Sequence, residues 1–461
     1  MANRKERVEA ELPYFSVVVN VLAGAGVPLY TIMKELAASD IFSAMKREAL
    51  LVRRDVEIFG MNPNDSLERI ASNHPSARFS GFLLGYTSKV RSGGDVAAYL
   101  SSESGSLLRG LEDEWARYVS RVGVIGTMMV TAFGIVPLLL MVVGVFSPGF
   151  SIAGLVIFTG VGVPLVTIAL LLLAGRMQPM RQEGIRGKAA RSLLVSLPGG
   201  LLGVALGAAW VSVAGLLFVF FVSYGLSVRG QISESKAQEE GLSRFLKDLL
   251  EYKRQEYDLT KAVIAIEANG RYNPQFDALL ARVASQLRAG VPLDEAKVGC
   301  RSRMGRLAFL LLGQMSRSGG GTVDTVYQIS NFADRMVSMK REAAAEMKPY
   351  LILSYVSPPL LAFGVTFVGE VVSSFSTNIR SGLASFHVGG AQMGSIPPAL
   401  SQVSDLLIVV SAASLGLIGA KITDMTARNT IKASTNVAVA VAAVALMGAF
   451  GSHSLSQLLG H

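Results

Sequence analysis

From Val122 to Phe146 the chain reads VGVIGTMMVTAFGIVPLLLMVVGVF, with no ionisable side chain over more than the roughly 20 residues that cross hydrocarbon. Three further stretches repeat this pattern: Ile152 to Ala174, Leu193 to Val228, and Pro349 to Phe375, the last interrupted only by Glu370. Two shorter ones follow, Leu406 to Ala420 and Val437 to Phe450. Composition agrees, since 51% of the 461 residues are hydrophobic, only 17% are charged and 47 are Gly, which suits a lipid-embedded chain rather than a soluble one.

The block from Leu193 to Val228 is too long for one comfortable helix and tight for two, and reads as a hairpin with Trp210 near the outer interface, where indole rings favour the headgroup level. Its first arm, Leu193 to Gly207, rises only about 22 Å at 1.5 Å per residue, against a core of about 30 Å. A re-entrant or mismatched segment is therefore the alternative. The expectation is an all-α polytopic membrane protein with four spans, then three, about seven transmembrane helices in all.

Basic residues set the orientation, because short loops rich in Lys and Arg stay on the cytoplasmic side. The linker 175–191 carries Arg176, Arg181, Arg186, Lys188 and Arg191 against Glu183, and Lys421, Arg428 and Lys432 mark a second basic loop. The turn Ser147-Pro148-Gly149, the connection from Ser376 to Ser404 and the tail after Gly451 together hold one such residue, Arg380, and are expected outside. No cleavable signal is read at the start, where Arg4-Lys5-Glu6-Arg7 leads to Glu9 and Glu11. The N-terminus is thus expected in the cytoplasm and the C-terminus outside. The implied domains are a cytoplasmic segment 1–121, a membrane block 122–228, a second cytoplasmic segment 229–348 and a second membrane block 349–461.

Both cytoplasmic segments read as helical bundles. Ile41, Met45, Ala49, Val52, Val56 and Phe59 recur at helical spacing in a helix expected to begin after Asp40 and end at Gly60. In the second segment Leu242, Phe245, Leu246, Leu249 and Leu250 form one stripe, and Phe276, Leu279, Leu280, Val283 and Leu287 another, ending near Gly290. The string Arg91-Ser92-Gly93-Gly94 returns as Arg317-Ser318-Gly319-Gly320. Gly60, followed by Pro63 and a helix expected from about Ser66, is answered by Gly290-Val291-Pro292-Leu293 in the same order, so the segments read as a duplication matched in plan rather than length. Gly26-Val27-Pro28-Leu29 repeats the latter string at a different place in the first half.

These features resemble the platform proteins shared by type II secretion systems, type IV pili and archaella. The resemblance rests on Glu11-Leu12-Pro13 opening a helical domain, on the Ala25-Gly26-Val27-Pro28-Leu29 turn, on the two Arg-Ser-Gly-Gly turns and on the two-domain plan. The extra apolar hairpin and three closing spans look more like the archaeal branch. The resemblance implies a non-enzymatic platform that couples a hexameric secretion ATPase to insertion of pilin or archaellin subunits into a filament, with a homodimer beneath the motor. Neither Gly-rich string continues into Lys-Ser or Lys-Thr, so neither makes a P-loop.

Candidate partner contacts are Arg91, Gly93 and Gly94, Arg317, Gly319 and Gly320, and the cluster Arg301, Arg303 and Arg306. Each has a plain reading. The glycines supply positive backbone angles between helices, with Asp95 and Thr322 as N-caps, and the arginines form a solvated loop. The formal charge of +9 reads as topology and attraction to lipid headgroups rather than nucleic-acid binding, since exposed aromatics interleaved with basic residues are missing. One cysteine, Cys300, allows no internal disulfide, and a catalytic thiol without a nearby His is a poor reading. No cofactor is implied. His74, His387, His453 and His461 are scattered and form no His-Glu-x-x-His, which argues against a metallohydrolase, while a polytopic transporter stays open as the alternative. Glu370 reads as a surface carboxylate near the outer boundary. Pro137, Pro164, Pro198 and Pro358-Pro359 are expected to bend their helices and could open a lateral groove for a pilin helix.

Overall fold

A computed structural model of the protein describes residues 2–146, 152–179, 187, 189–205, 208–319, 321–384 and 398–451. The turn 147–149, most of the basic linker (180–186 and 188), Gly320, the connection 385–397 and the tail after Gly451 lie outside these residues. Among the described residues every regular element is a helix. In order these are α1 (Ala2–Gly24), α2 (Leu29–Ala38), α3 (Ala44–Glu57), α4 (Pro63–Ser72), α5 (Ala77–Ser92), α6 (Val96–Val130), α7 (Val136–Phe146), α8 (Ile152–Ile157), α9 (Val163–Met177), α10 (Ala189–Ala205) and α11 (Ala209–Arg254). There follow α12 (Leu259–Asn269), α13 (Pro274–Arg288), α14 (Arg303–Ser318), α15 (Val323–Glu346), α16 (Lys348–Ala384), α17 (Pro398–Thr423) and α18 (Ile431–Gly451).

The chain divides into two compact units. The first joins 1–116 to 233–341; the second joins 117–232 to 342–461. Each division falls inside a helix (α6, α11 and α15), so hydropathy changes along continuous rods rather than across linkers.

The first unit is built twice from one plan. The second half of α11 repeats α1, with Leu242 and Phe245 buried where α1 buries Leu12 and Phe15. α12 repeats α2, its buried Leu259, Ala262, Val263 and Ile266 matching Leu29, Ile32, Met33 and Leu36 at the same separation. α13 repeats α3, α14 repeats α5, and both of the latter run 16 residues. Left-handed residues mark the same corners: Gly26 and Glu256 before α2 and α12, Gly60 and Gly290 after α3 and α13, Gly93 and Gly319 after α5 and α14. The length difference has a simple source, because α4 has no counterpart and a short turn at 293–295 replaces it. Gly26 therefore answers to Glu256, and the shared Gly-Val-Pro-Leu string does not mark equivalent positions.

Two sequence expectations shift here. α3 starts at Ala44 rather than just after Asp40, although Ile41 and Phe42 are buried ahead of it, and Phe59 does not end the buried stripe: it is 62% exposed, with the Arg54 guanidinium 5.5 Å over its ring. α4 begins at Pro63, three residues before the expected start, because Asn62 accepts from the Asn64 N–H and Pro63 fills the first helical position.

Among the described residues six helical stretches are long and apolar enough to cross a membrane: Val96–Val143, Ile152–Met177, Ala209–Arg254, Val323–Val371, Ser401–Thr423 and Ile431–Gly448. The protein is a multi-pass membrane protein. α16, α17 and α18 pack on one another around Leu361, Ile408, Ala412 and Ala440, and Trp210 packs on this cluster. π-helical turns at Thr131–Ile135 and Phe158–Gly162 come directly before α7 and α9, each of which has Pro as its second residue. A proline lacks the N–H of a regular turn and its ring clashes with the preceding one, so widening that turn lets the rod continue.

α10 and α11 form the hairpin read from Leu193 to Val228. α10 has 17 residues, about 26 Å of helix, and stays short of the usual core. The helices meet on small residues: a Cβ at Gly199 would lie 2.6 Å from the Gly215 carbonyl oxygen, and one at Gly203 would collide with the Ser212 backbone. At this length α10 is not among the six stretches long and apolar enough to cross a membrane. Close packing on Gly and Ser lets backbones approach where lipid supplies no hydrophobic drive.

Gly203→Val is expected to separate α10 from α11 and lower the thermal midpoint of the detergent-solubilised protein, read from Trp210 fluorescence, by more than 1 kcal/mol-equivalent, within the roughly 1–3 kcal/mol of overpacking. Gly230→Ala, where nothing lies within 4 Å of the added Cβ in mid-helix, should instead stabilise by about 0.4–1 kcal/mol.

Candidate partner-binding surface

The two repeated turns are built alike. Gly93 (φ 63°) and Gly319 (φ 68°) take the left-handed conformation that closes α5 and α14 and that L side chains adopt only with strain. The Gly94 N–H returns to the Lys89 carbonyl at 2.9 Å. Asp95 then accepts from the Ala98 N–H at 2.9 Å and Thr322 from the Thr325 N–H at 3.3 Å, so both act as the expected N-caps. Arg91 and Arg317 stand in the last turns of their helices, where the carbonyl ends favour a cation. Arg91 reaches Asp65 (2.7 Å) and Glu68 (2.9 Å) of α4. Arg317 reaches Glu35 of α2 at 3.7 Å, in the other half of the unit. Both side chains stay more than half exposed, so these pairs hold them loosely. Gly320 lies outside the described residues.

The arginine cluster divides. Arg301 pairs with Glu234 at 2.6 Å and remains half exposed. Arg306 is exposed and folds back on the carbonyls of Cys300 and Arg301, at 3.4 and 3.2 Å. Arg303 points inward: 18% exposed, it donates to Glu11 at 2.8 Å and lies 5.3 Å over the Phe42 ring. Arg303 therefore ties the two halves together, whereas Arg301 and Arg306 stay on the exposed side. The connection carrying them is pinned by Gln238, whose Oε1 accepts from the Arg301 N–H (3.0 Å), the Ser302 N–H (3.4 Å) and the Cys300 thiol (3.3 Å). Burial pushes that thiol up to about 11, so it stays protonated and inert.

Sequence reasoning passed over Glu11 as a chemical group. Its carboxylate, 6% exposed, accepts from the N–H groups of Ser43, Ala44 and Met45, each at 2.9 Å, and from Arg303. Ser43 itself makes no side-chain cap, so α1 supplies the N-cap of α3 from a distance. The second repeat has Gly241 at the Glu11 position and caps α13 locally through Asn273. A buried Glu in an apolar stripe was the available signal.

Buried beside this region is His74. Its Nδ1 accepts from the Ser76 N–H at 3.1 Å, so Nε2 carries the proton; that nitrogen faces Glu48 at 3.7 Å and has no hydrogen-bond partner. Burial holds His74 below the ordinary imidazole range, and Glu48 offsets this only in part.

In the second unit a cavity of about 510 Å³ opens between Trp210, Met141 and Thr366 and is lined by two carboxylates, Glu370 and Asp405. Glu370 is therefore not simply a surface group. Asp405 lies just ahead of the stretch read as a span from Leu406, yet the helix already spans from Ser401. Among the described residues no cluster of His, Cys, Asp and Glu could hold a metal ion.

The family model for the type II secretion system (T2SS), protein F, matches residues 15–144. An uncharacterized protein of Methanocaldococcus jannaschii is 22% identical over 135 residues, 29% of this chain and 23% of that protein. The chain thus spans about a quarter of that relative's length. No solved structure matches.

The folded state disfavours protonated His74, so between the depressed value and the ordinary one near 6.5 the unfolded chain binds more protons. The resulting stability is complete above the ordinary value and is lost as pH falls through the window. Followed by Trp115 fluorescence in a Trp210→Phe background, the thermal midpoint should fall further between about pH 7.5 and about pH 5.5 than it does in His74→Gln.

Proposed function

We infer that this chain, whose residues 15–144 match the family model for the type II secretion system (T2SS), protein F, is the membrane platform of an archaeal-type pilus or archaellum assembly machine. Proteins of this family work with secretion ATPases and pilin-like subunits. In our reading a hexameric cytoplasmic ATPase pushes on the unit formed by 1–116 and 233–341, and a homodimer of the chain passes that motion to pilin-like subunits entering the filament. The N-terminus and both halves of this unit lie in the cytoplasm, and the C-terminus lies outside.

The observation that carries the reading is the duplicated body itself. It presents two like-built turns, each with a loosely held arginine, and neither Gly-rich string continues as a P-loop, so in this reading force reaches it from another protein. Arg91 and Arg317, with Arg301 and Arg306, are the contacts we assign to the motor. The cavity beside Trp210 and Thr366, about two turns beyond Pro358-Pro359 on α16, is where we place the apolar helix of the incoming subunit. Its largely apolar lining suits such a helix.

Arg91→Ala/Arg317→Ala should weaken co-purification of a secretion ATPase encoded beside this chain by about tenfold, the effect of roughly 1.4 kcal/mol, while Arg303→Ala acts through stability instead. Unchanged ATPase capture by a folded double variant would return both arginines to a purely structural role.

A further inference from the structure

On the first unit α1 and the opening turns of α3 enclose a pocket of about 500 Å³. Arg4, Arg7 and Arg47 line it, with Val8 and Leu51 as apolar walls and Glu48 as the one acid. Arg4 spends its charge on Glu48, donating at 2.9 and 2.6 Å in a two-point pair, and Glu48 is 2% exposed. Among the described residues Arg7 and Arg47 hold no carboxylate. The pocket thus presents two uncommitted guanidiniums over a neutralised, rigid floor, further braced because Glu48 backs onto buried His74.

The repeat shows that the fold does not require this charge. With Phe15 matched to Phe245, the positions of Arg4, Arg7 and Val8 in the second half are Glu234, Ala237 and Gln238. α13 carries Phe276, Leu279, Leu280 and Val283 along the stripe where α3 carries Met45, Glu48, Ala49 and Val52, so Glu48 answers to Leu279 and Arg47 to Ala278. One copy of the element is apolar and acidic; the other has gathered three arginines around a concavity. Surface arginines kept for solubility or topology would not need a buried acid to hold one of them in place.

We propose that this pocket binds a phosphate group, taken up by Arg7 and Arg47 while the Arg4–Glu48 pair fixes the wall. Guanidinium forks match the oxygens of a phosphate, and two of them suit its double charge. The group can come from a free phosphate compound or from a lipid headgroup. The assignment is independent of the platform reading and concerns a site away from the Arg91 and Arg317 turns.

The test is calorimetric titration of the full-length protein in uncharged detergent with inorganic pyrophosphate. Saturable binding is expected, weakened at least about tenfold in Arg7→Gln/Arg47→Gln, which removes two charge-assisted contacts. The wild-type affinity should persist in Arg91→Gln. Since among the described residues neither Arg7 nor Arg47 pairs with a carboxylate, the double variant should keep the wild-type Trp115 melting curve. Competition with ADP and with short-chain phosphatidate then assigns the source, the tighter competitor naming it. The proposal is overturned if wild type and double variant bind alike, if wild-type binding is weaker than about 10 mM, or if succinate displaces pyrophosphate as well as phosphate compounds do, which would make the pocket a dock for acidic peptide.

Discussion

One carboxylate holds the first unit together. Glu11, buried on α1, takes the three N–H groups that begin α3 and the guanidinium of Arg303 from α14. The first task satisfies a helix end that its own cap residue leaves open; the second joins halves that lie far apart in the chain. A buried acid is tolerable only when it is so fully engaged. Around it Tyr14 meets Phe332 edge to face at 5.9 Å, and Asn20 meets Gln328 at 2.9 Å, continuing the seam between α1 and α15. The repeat answers Glu11 with Gly241 and a local cap, so this carboxylate lock is not duplicated in the second half.

In the second unit α10 is shorter than the six stretches long enough to cross a membrane. The glycine contacts with α11 give it the close support that length does not. Prolines that would break a soluble helix are absorbed by π turns ahead of α7 and α9. Along α6 the sequence passes from polar to apolar, along α11 from apolar to polar, and polar α15 leads into apolar α16.

Much of this was legible in the residues. Spans, basic loops and the repeated turns follow from hydropathy, charge and glycine, whose physics is local. The stripes Leu242 to Leu250 and Phe276 to Leu287 are buried as read. What periodicity could not supply was partnership at a distance. Arg303 looks like Arg301 and Arg306 in sequence, and only Glu11, reached through the fold, separates them. Glu48 and His74 carried no motif, and Asp405 hid beside a span boundary that polar residues blurred. The true register of the repeat was also masked, because Gly26-Val27-Pro28-Leu29 matches Gly290-Val291-Pro292-Leu293 in letters while the fold aligns it with Glu256 to Leu259.

The most direct measurement is chemical crosslinking across the seam in intact membranes. With Cys300 replaced by Ser, cysteines placed at Asn20 and Gln328 should join within one chain under a short bifunctional thiosulfonate, and should be blocked together by a reagent confined to one face of the membrane. Failure to join in a folded protein, or blocking of the two from opposite faces, would contradict a single body built from both halves.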